Sequence, residues 1–180
     1  MLSQKIKLEI FSWVKVIAFA FLFSGLLLRF VIVNASVPTG SMQDTIGERS
    51  RVVAFRLSYV FSEPERYDIV VFRFPDDESL LYVKRIIGLP GETVDIINGK
   101  VYINGSSEPL NDEFVKGTPF LFNYGPYVVP EGCYFMMGDN RNNSADSRDW
   151  RNKFVNRDKI LGEVKFCYFP ELKWYSNKYN

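Results

Sequence analysis

Between Lys15 and Arg29 lie thirteen uncharged residues, VIAFAFLFSGLLL from Val16 to Leu28, and FVIV follows the arginine. Such a segment must leave water, either into a protein core or into lipid. Taken alone, the run is shorter than the about 20 apolar residues of a membrane span and closer to a signal-peptide centre or a buried helix. The longer stretch from Ile10 to Val33 changes the balance. Lys15 and Arg29 lie near its ends, where their stems stay in lipid and their charged heads reach the interfaces. At about 1.5 Å per residue it reaches roughly 36 Å, more than a hydrocarbon core of about 30 Å. Val33, Asn34 and Ala35 do resemble a small-residue signal cleavage site, but an arginine just before that site fits poorly. The expectation is a retained single-pass anchor in residues 1–35. Lys5 and Lys7 place the N-terminus in the cytoplasm by the positive-inside rule, so residues 36–180 form an extracytoplasmic body in the cell membrane's outer space.

A chain of 180 residues, 47% apolar, has room for one modest packed domain and a short appendage. Lysine and arginine number 22 against 21 acidic residues, so charge gives no reason to expect a nucleic-acid partner. The absence of histidine removes the Ser/His/Asp and Cys/His nucleophile systems and the commonest zinc ligand together. Any general base is then Lys, Asp or Glu. Cys133 and Cys167 are too few and too far apart for a metal knot or a disulfide scaffold. They read as small core side chains, with a pairing on the oxidising side of a membrane left open.

From Arg51 onward the pattern changes. RVVAF, DIVVFRF, LLYVKRIIG, TVDII, KVYIN, CYFMM and KILGEVKFCYF carry the β-branched and aromatic residues that suit a pleated surface. Asn98 and Gly99, between TVDII and KVYIN, supply the positive φ angles of a two-residue hairpin loop, and Asn104 and Gly105 repeat the signal. Ser106 to Pro130 is rich in Gly, Pro, Asn and Ser, as surface connections are. No stretch beyond Val33 sustains apolar residues at helical period. The fold class is therefore mainly β: a transmembrane helix, then an antiparallel β domain with coiled, barrel-like sheets.

Three stretches have chemical potential. In VPTGSMQDTI, a proline and a glycine constrain the backbone before Ser41; a hydroxyl there is either a turn serine or a nucleophile needing a base and oxyanion donors. In YVKRIIGLPGE, alternation puts Tyr82, Lys84 and Ile86 on one face and Val83, Arg85 and Ile87 on the other. One cation must face the more buried side unless the strand is an edge. If that cation is Lys84, desolvation lowers its pKa toward neutrality and it can accept a serine proton, which arginine cannot. GDNRNNSADSR is too polar for a strand interior and suits a loop held by its own hydrogen bonds, with Asp146 and Arg148 as an ion pair and Ser144 placed to hold a lysine amine. It lacks the glycine and glutamate of a calcium loop, and two arginines oppose a cation, so no metal is expected.

In this order behind an anchor, the stretches closely resemble the bacterial type I signal peptidases, or leader peptidases. VPTGSM is similar to their nucleophile segment, ERYDIVVF to a following strand, YVKRIIGLPGE to their general-base segment and GDNRNNSADSR to their signature loop. The resemblance implies Ser41 as nucleophile and Lys84 as general base, with Ser144 orienting the amine and Asp146 with Arg148 bracing the loop. It implies an oxyanion hole from the Ser41 N–H and the Thr39 hydroxyl. Val37, Met42, Ile46, Tyr82 and Val83 would line shallow pockets for Ala-x-Ala sites. The implied substrates are exported preproteins, met at the lipid surface beside the export machinery, and no cofactor is called for. Asp44 departs from the family's usual proline and Tyr67 from its usual glycine. Two rivals stand beside this reading. A self-cleaving repressor-type protease would need a DNA-binding helical module where this chain has an apolar segment. A membrane-tethered β binding module or inactive scaffold would use Ser41 and Lys84 only structurally.

Overall fold

The computed structural model describes residues 4–118 and 120–175; the outer ends of the two expected divisions, 1–3 and 176–180, lie outside the described residues. The apolar N-terminal segment is helix α1, Gln4–Phe30. Its stretch from Ile6 to Phe30 has a mean hydropathy of 2.0 and none of it is buried in the protein. A helix that is apolar all round and unburied is long and apolar enough to cross a membrane.

The helix stops earlier than the apolar pattern suggested. Val31 closes its last turn on Leu27, and FVIV divides: Phe30 ends the helix, while Ile32–Val37 is an edge strand, β1. Val33, Ala35 and Val37 alternate inward with exposed Asn34 and Ser36, the period-two pattern of a half-buried strand. The span expected from Ile10 to Val33 is thus shortened, and the body starts with β1. Ala35, where the small-residue pattern ends, is paired with Val52 inside this strand.

After β1 come β2 (Ser50–Phe55), β3 (Ile69–Phe74), β4 (Asp77–Gly88), β5 (Thr93–Ile97), β6 (Lys100–Ile103), β7 (Tyr124–Val128), β8 (Cys133–Met137), β9 (Phe154–Asn156), β10 (Ile160–Phe169) and β11 (Lys173–Trp174). The large sheet has the order β1-β2-β10-β3-β4-β8-β9, with β11 on β10, and the small sheet the order β6-β5-β7. Every pairing is antiparallel. The β5–β6 hairpin turns on Asn98 (φ 51) and Gly99 (φ 77), two residues that readily adopt the positive φ angles this turn requires.

Alternation along β3 serves two cores. Ile69 and Val71 join Val33, Ala35, Val37, Met42, Ile46 and Val83 on one side; Val70 and Phe72 join Ile86, Met136 and Trp150 on the other. Val37 of the edge strand and Val83 of β4 share the first core, so the sheet coils until β1 lies beside β4, several strands away in the ladder. A third core, with Ile87, Val94, Val101 and Phe135, joins the two sheets. Both cysteines are free thiols: Cys167 is buried in the first core and Cys133 is half-buried.

Candidate active site

The coiling opens a cleft between the end of β1 and β4, lined by Ser36, Val37, Pro38, Thr39, Ser41, Leu81, Tyr82, Val83, Lys84, Asn143 and Ala145, with a volume of about 430 Å³. It brings together residues from all three chemically suggestive stretches. Two strand edges border it. β1 pairs only with β2, and β4 pairs with β8 only from Arg85 onward, leaving the backbone of Leu81 to Lys84 without a ladder partner on that side among the described residues.

Ser41 sits in the middle of a tight 3₁₀ turn, Gly40–Met42. Its side chain is buried to 7% exposure, and its Oγ lies 3.3 Å from Thr39 Oγ1. The signature loop holds the turn from outside: Asn140 N–H donates to the Ser41 carbonyl at 3.1 Å, and its side-chain amide donates to the Gly40 carbonyl at 3.0 Å. Gly138 lies where these segments meet. A Cβ there would stand 2.3 Å from Ser144 Oγ and 2.4 Å from the Ser41 carbonyl oxygen, so only glycine lets the loop approach this closely.

Lys84 is 3% exposed. Burial pushes its pKa down to about 8, opposed by the Asp146 and Asp139 carboxylates and helped by Arg148. A desolvated amine near neutrality is suited to taking a proton from a hydroxyl. Its neighbour Arg85 is also buried, so the expectation that one cation faces the buried side understates the case: β4 is covered on both faces. Arg85 is locked by Asp139 through Nε at 2.8 Å and Nη2 at 2.6 Å, and by the Tyr67 carbonyl at 2.8 Å.

The loop is braced from within. Ser144 Oγ donates to Asp146 at 2.8 Å, Asp146 is fully buried, and Arg148 donates to both of its oxygens, Nε at 2.7 Å and Nη2 at 2.9 Å. Val37, Tyr82 and Val83 line the cleft. Met42 and Ile46 are not among the residues that line it: both are fully buried in the first core. The Tyr82 ring is fixed by Phe74, stacked at 4.4 Å, and by Trp150, edge-on at 5.9 Å. The sequence does not announce Gly138, Asp139 and Asn140 individually, because the density of Asp and Asn marks a bonded loop without naming its partners, and it offers Arg85 only as the other cation of its strand. Among the described residues no cluster of His, Cys, Asp and Glu is arranged to hold a metal.

The family described as "Signal peptidase, peptidase S26" matches residues 10–169. A probable signal peptidase I-1 of Synechocystis is 39% identical over 158 residues, 83% of this chain and 78% of that protein. A signal peptidase I of Bacillus licheniformis is 36% identical over 175 residues, 93% of each chain. A crystal structure of a signal peptidase I from Enterococcus faecalis is 33% identical, covering 57% of this chain and 97% of that one, with a TM-score of 0.41.

Proposed function

Since the chain belongs to the signal peptidase family, peptidase S26, it is a serine endopeptidase that removes signal peptides from preproteins, and we propose that Ser41 is its nucleophile and Lys84 its general base. The observation that carries this assignment is the buried lysine, its pKa brought down to about 8, lining the same cleft as the turn that holds Ser41.

The preprotein lays its cleavage segment along the cleft as an added strand, using the free edges of β1 and of Leu81 to Lys84. Val37, Tyr82 and Val83 leave room for small side chains, which fits cleavage after Ala-x-Ala. Neutral Lys84 takes the Ser41 proton as Oγ attacks the carbonyl carbon. The oxyanion is received by the Ser41 N–H and the Thr39 hydroxyl. Lys84, now protonated, gives its proton to the leaving amine as the C–N bond breaks, leaving an acyl-enzyme on Ser41. Neutral Lys84 then deprotonates a water that attacks the acyl carbon, and as the acyl–oxygen bond breaks the signal peptide leaves as a carboxylate and Lys84 returns the proton to Ser41 Oγ. Ser144 keeps the amine in place, and Asp146 with Arg148 keeps Ser144 in place. No cofactor enters these steps.

Helix α1 is the anchor in this reading, with its lysine-rich end cytoplasmic and the β body on the outer side of the cell membrane. Lipid is then a standing partner, and the export machinery delivers substrate to the surface where the site is tethered, which raises the encounter frequency. The test is cleavage of a preprotein bearing an Ala-x-Ala site by the detergent-solubilised protein. Cleavage after the second alanine by wild type, and by neither Ser41→Ala nor Lys84→Ala, supports the assignment. Full activity of Lys84→Ala contradicts it.

A further inference from the structure

Residues 112–118, in the connection between β6 and β7, cross from the small sheet to the catalytic loops and bind both. Asp112 makes a two-pronged ion pair with Arg141 of the signature loop, at 2.8 and 3.0 Å, and Arg141 is only 6% exposed. Phe114 is buried, its ring 4.1 Å from the Arg85 guanidinium and set edge-on to Tyr67 at 5.7 Å. The Lys116 N–H donates to the Asp44 carboxylate at 2.7 Å. The Asn142 amide donates to the Thr118 carbonyl at 3.0 Å. Asp44 and Tyr67 both touch this segment. Tyr67 holds a φ of 73, an uncommon backbone state for a bulky residue, and its ring is buried against Phe114.

We propose that residues 112–118 form a clasp that fixes the spacing between the Ser41 turn and the signature loop, with Asp112 and Asp44 as its positioning residues; this rests on the Ser41 and Lys84 assignment above. Asn140, bonded to the Gly40 and Ser41 carbonyls, and the Thr45 hydroxyl, which donates to Asp139, join the two segments directly at the end of the loop nearest β8. The clasp adds Asp44 beyond the nucleophile and Arg141 with Asn142 further along the loop, and closes a ring that restrains the loop away from that end. From Arg141 the restraint runs inward: its carbonyl accepts from Arg148 Nη2 at 2.8 Å, Arg148 grips Asp146, and Asp146 accepts from Ser144. A small displacement along such a path misplaces reacting groups and costs rate rather than substrate binding.

The experiment measures kcat and KM for preprotein cleavage by the full-length protein and its variants. Asp112→Asn is expected to lower kcat about tenfold with KM within about twofold, and Asp112→Glu to recover most of that loss. Asp44→Ala, which removes a surface contact, is expected to act in the same direction. The double variant Asp44→Ala, Asp112→Asn is expected to lose less than the product of the single losses, because both open one ring. Unchanged kcat in Asp112→Asn, a loss confined to KM, or fully multiplicative losses would overturn the clasp. If Asp112→Asn does not fold, Asp44→Ala decides alone: reduced kcat at an unchanged Tm upholds the proposal, and wild-type kcat overturns it. Failure of the wild type to cleave, or an active Ser41→Ala protein, would strike the peptidase assignment instead.

Discussion

Lys84 and Arg85 are neighbours on opposite faces of β4, both buried, and only Arg85 is neutralised by an ion pair among the described residues. Asp139 takes the arginine in a fork, while Asp146 is turned away to Ser144 and Arg148. A buried ammonium without an ion pair is costly, and the chain relieves the cost by releasing its proton more easily.

The pH dependence of cleavage follows. The base works in its neutral form, so kcat/KM is expected to rise through about pH 8, the value to which burial lowers Lys84. Initial rates between pH 6 and 10 check this. A profile already flat above pH 6.5 would mean that the limiting group is not Lys84.

The same burial makes a prediction about stability. Unfolded, the lysine holds its proton to its ordinary 10.5; folded, it loses it at about 8. Between these values the unfolded chain binds more protons, so the Lys84 contribution improves as pH rises through that window and is at its worst below pH 8. Lys84→Met, similar in volume and uncharged, is expected to abolish cleavage and to stabilise the fold by about 3 kcal/mol near pH 7, the gain fading toward pH 10.5. Denaturant unfolding of both proteins at the two pH values measures it.

Removing the other cation has the opposite sign. Arg85→Leu leaves Asp139, which is fully buried, without its charged partner. A loss of about 3–5 kcal/mol is expected, read from the same unfolding curves.

Gly138→Ala tests how closely the loop and the nucleophile turn approach. Its methyl would meet Ser144 Oγ at 2.3 Å and the Ser41 carbonyl at 2.4 Å, and backbone on one side leaves little room to yield. The expected result is a cost of about 1–3 kcal/mol with nearly complete loss of cleavage. Circular dichroism together with the cleavage assay separates the two effects.

Much of this protein is legible in one dimension because its signals are local. The Asn98–Gly99 hairpin, the strand runs and the order of the three stretches depend on neighbouring residues, and they stand where the pattern puts them. What depends on distant partners is not legible. Ile32 and Val33 read as the tail of an apolar span, yet they open a strand, Ile32–Val37, that pairs with β2. Met42 and Ile46 follow the nucleophile in sequence but turn inward with the chain. The partners of Asp44, Asp139 and Asn140 come from segments 54 to 100 residues away, at Lys116, Arg85 and Gly40, and no spacing rule announces them.

The central claim is that Lys84 activates Ser41 for attack on a preprotein. It is tested most directly by acid-quenching a single turnover and mapping the trapped acyl group by mass spectrometry. The account predicts an adduct on Ser41 in the wild type and none on that residue in Lys84→Ala at the same time point. An adduct on another residue, or equal acylation of Ser41 without Lys84, would contradict it.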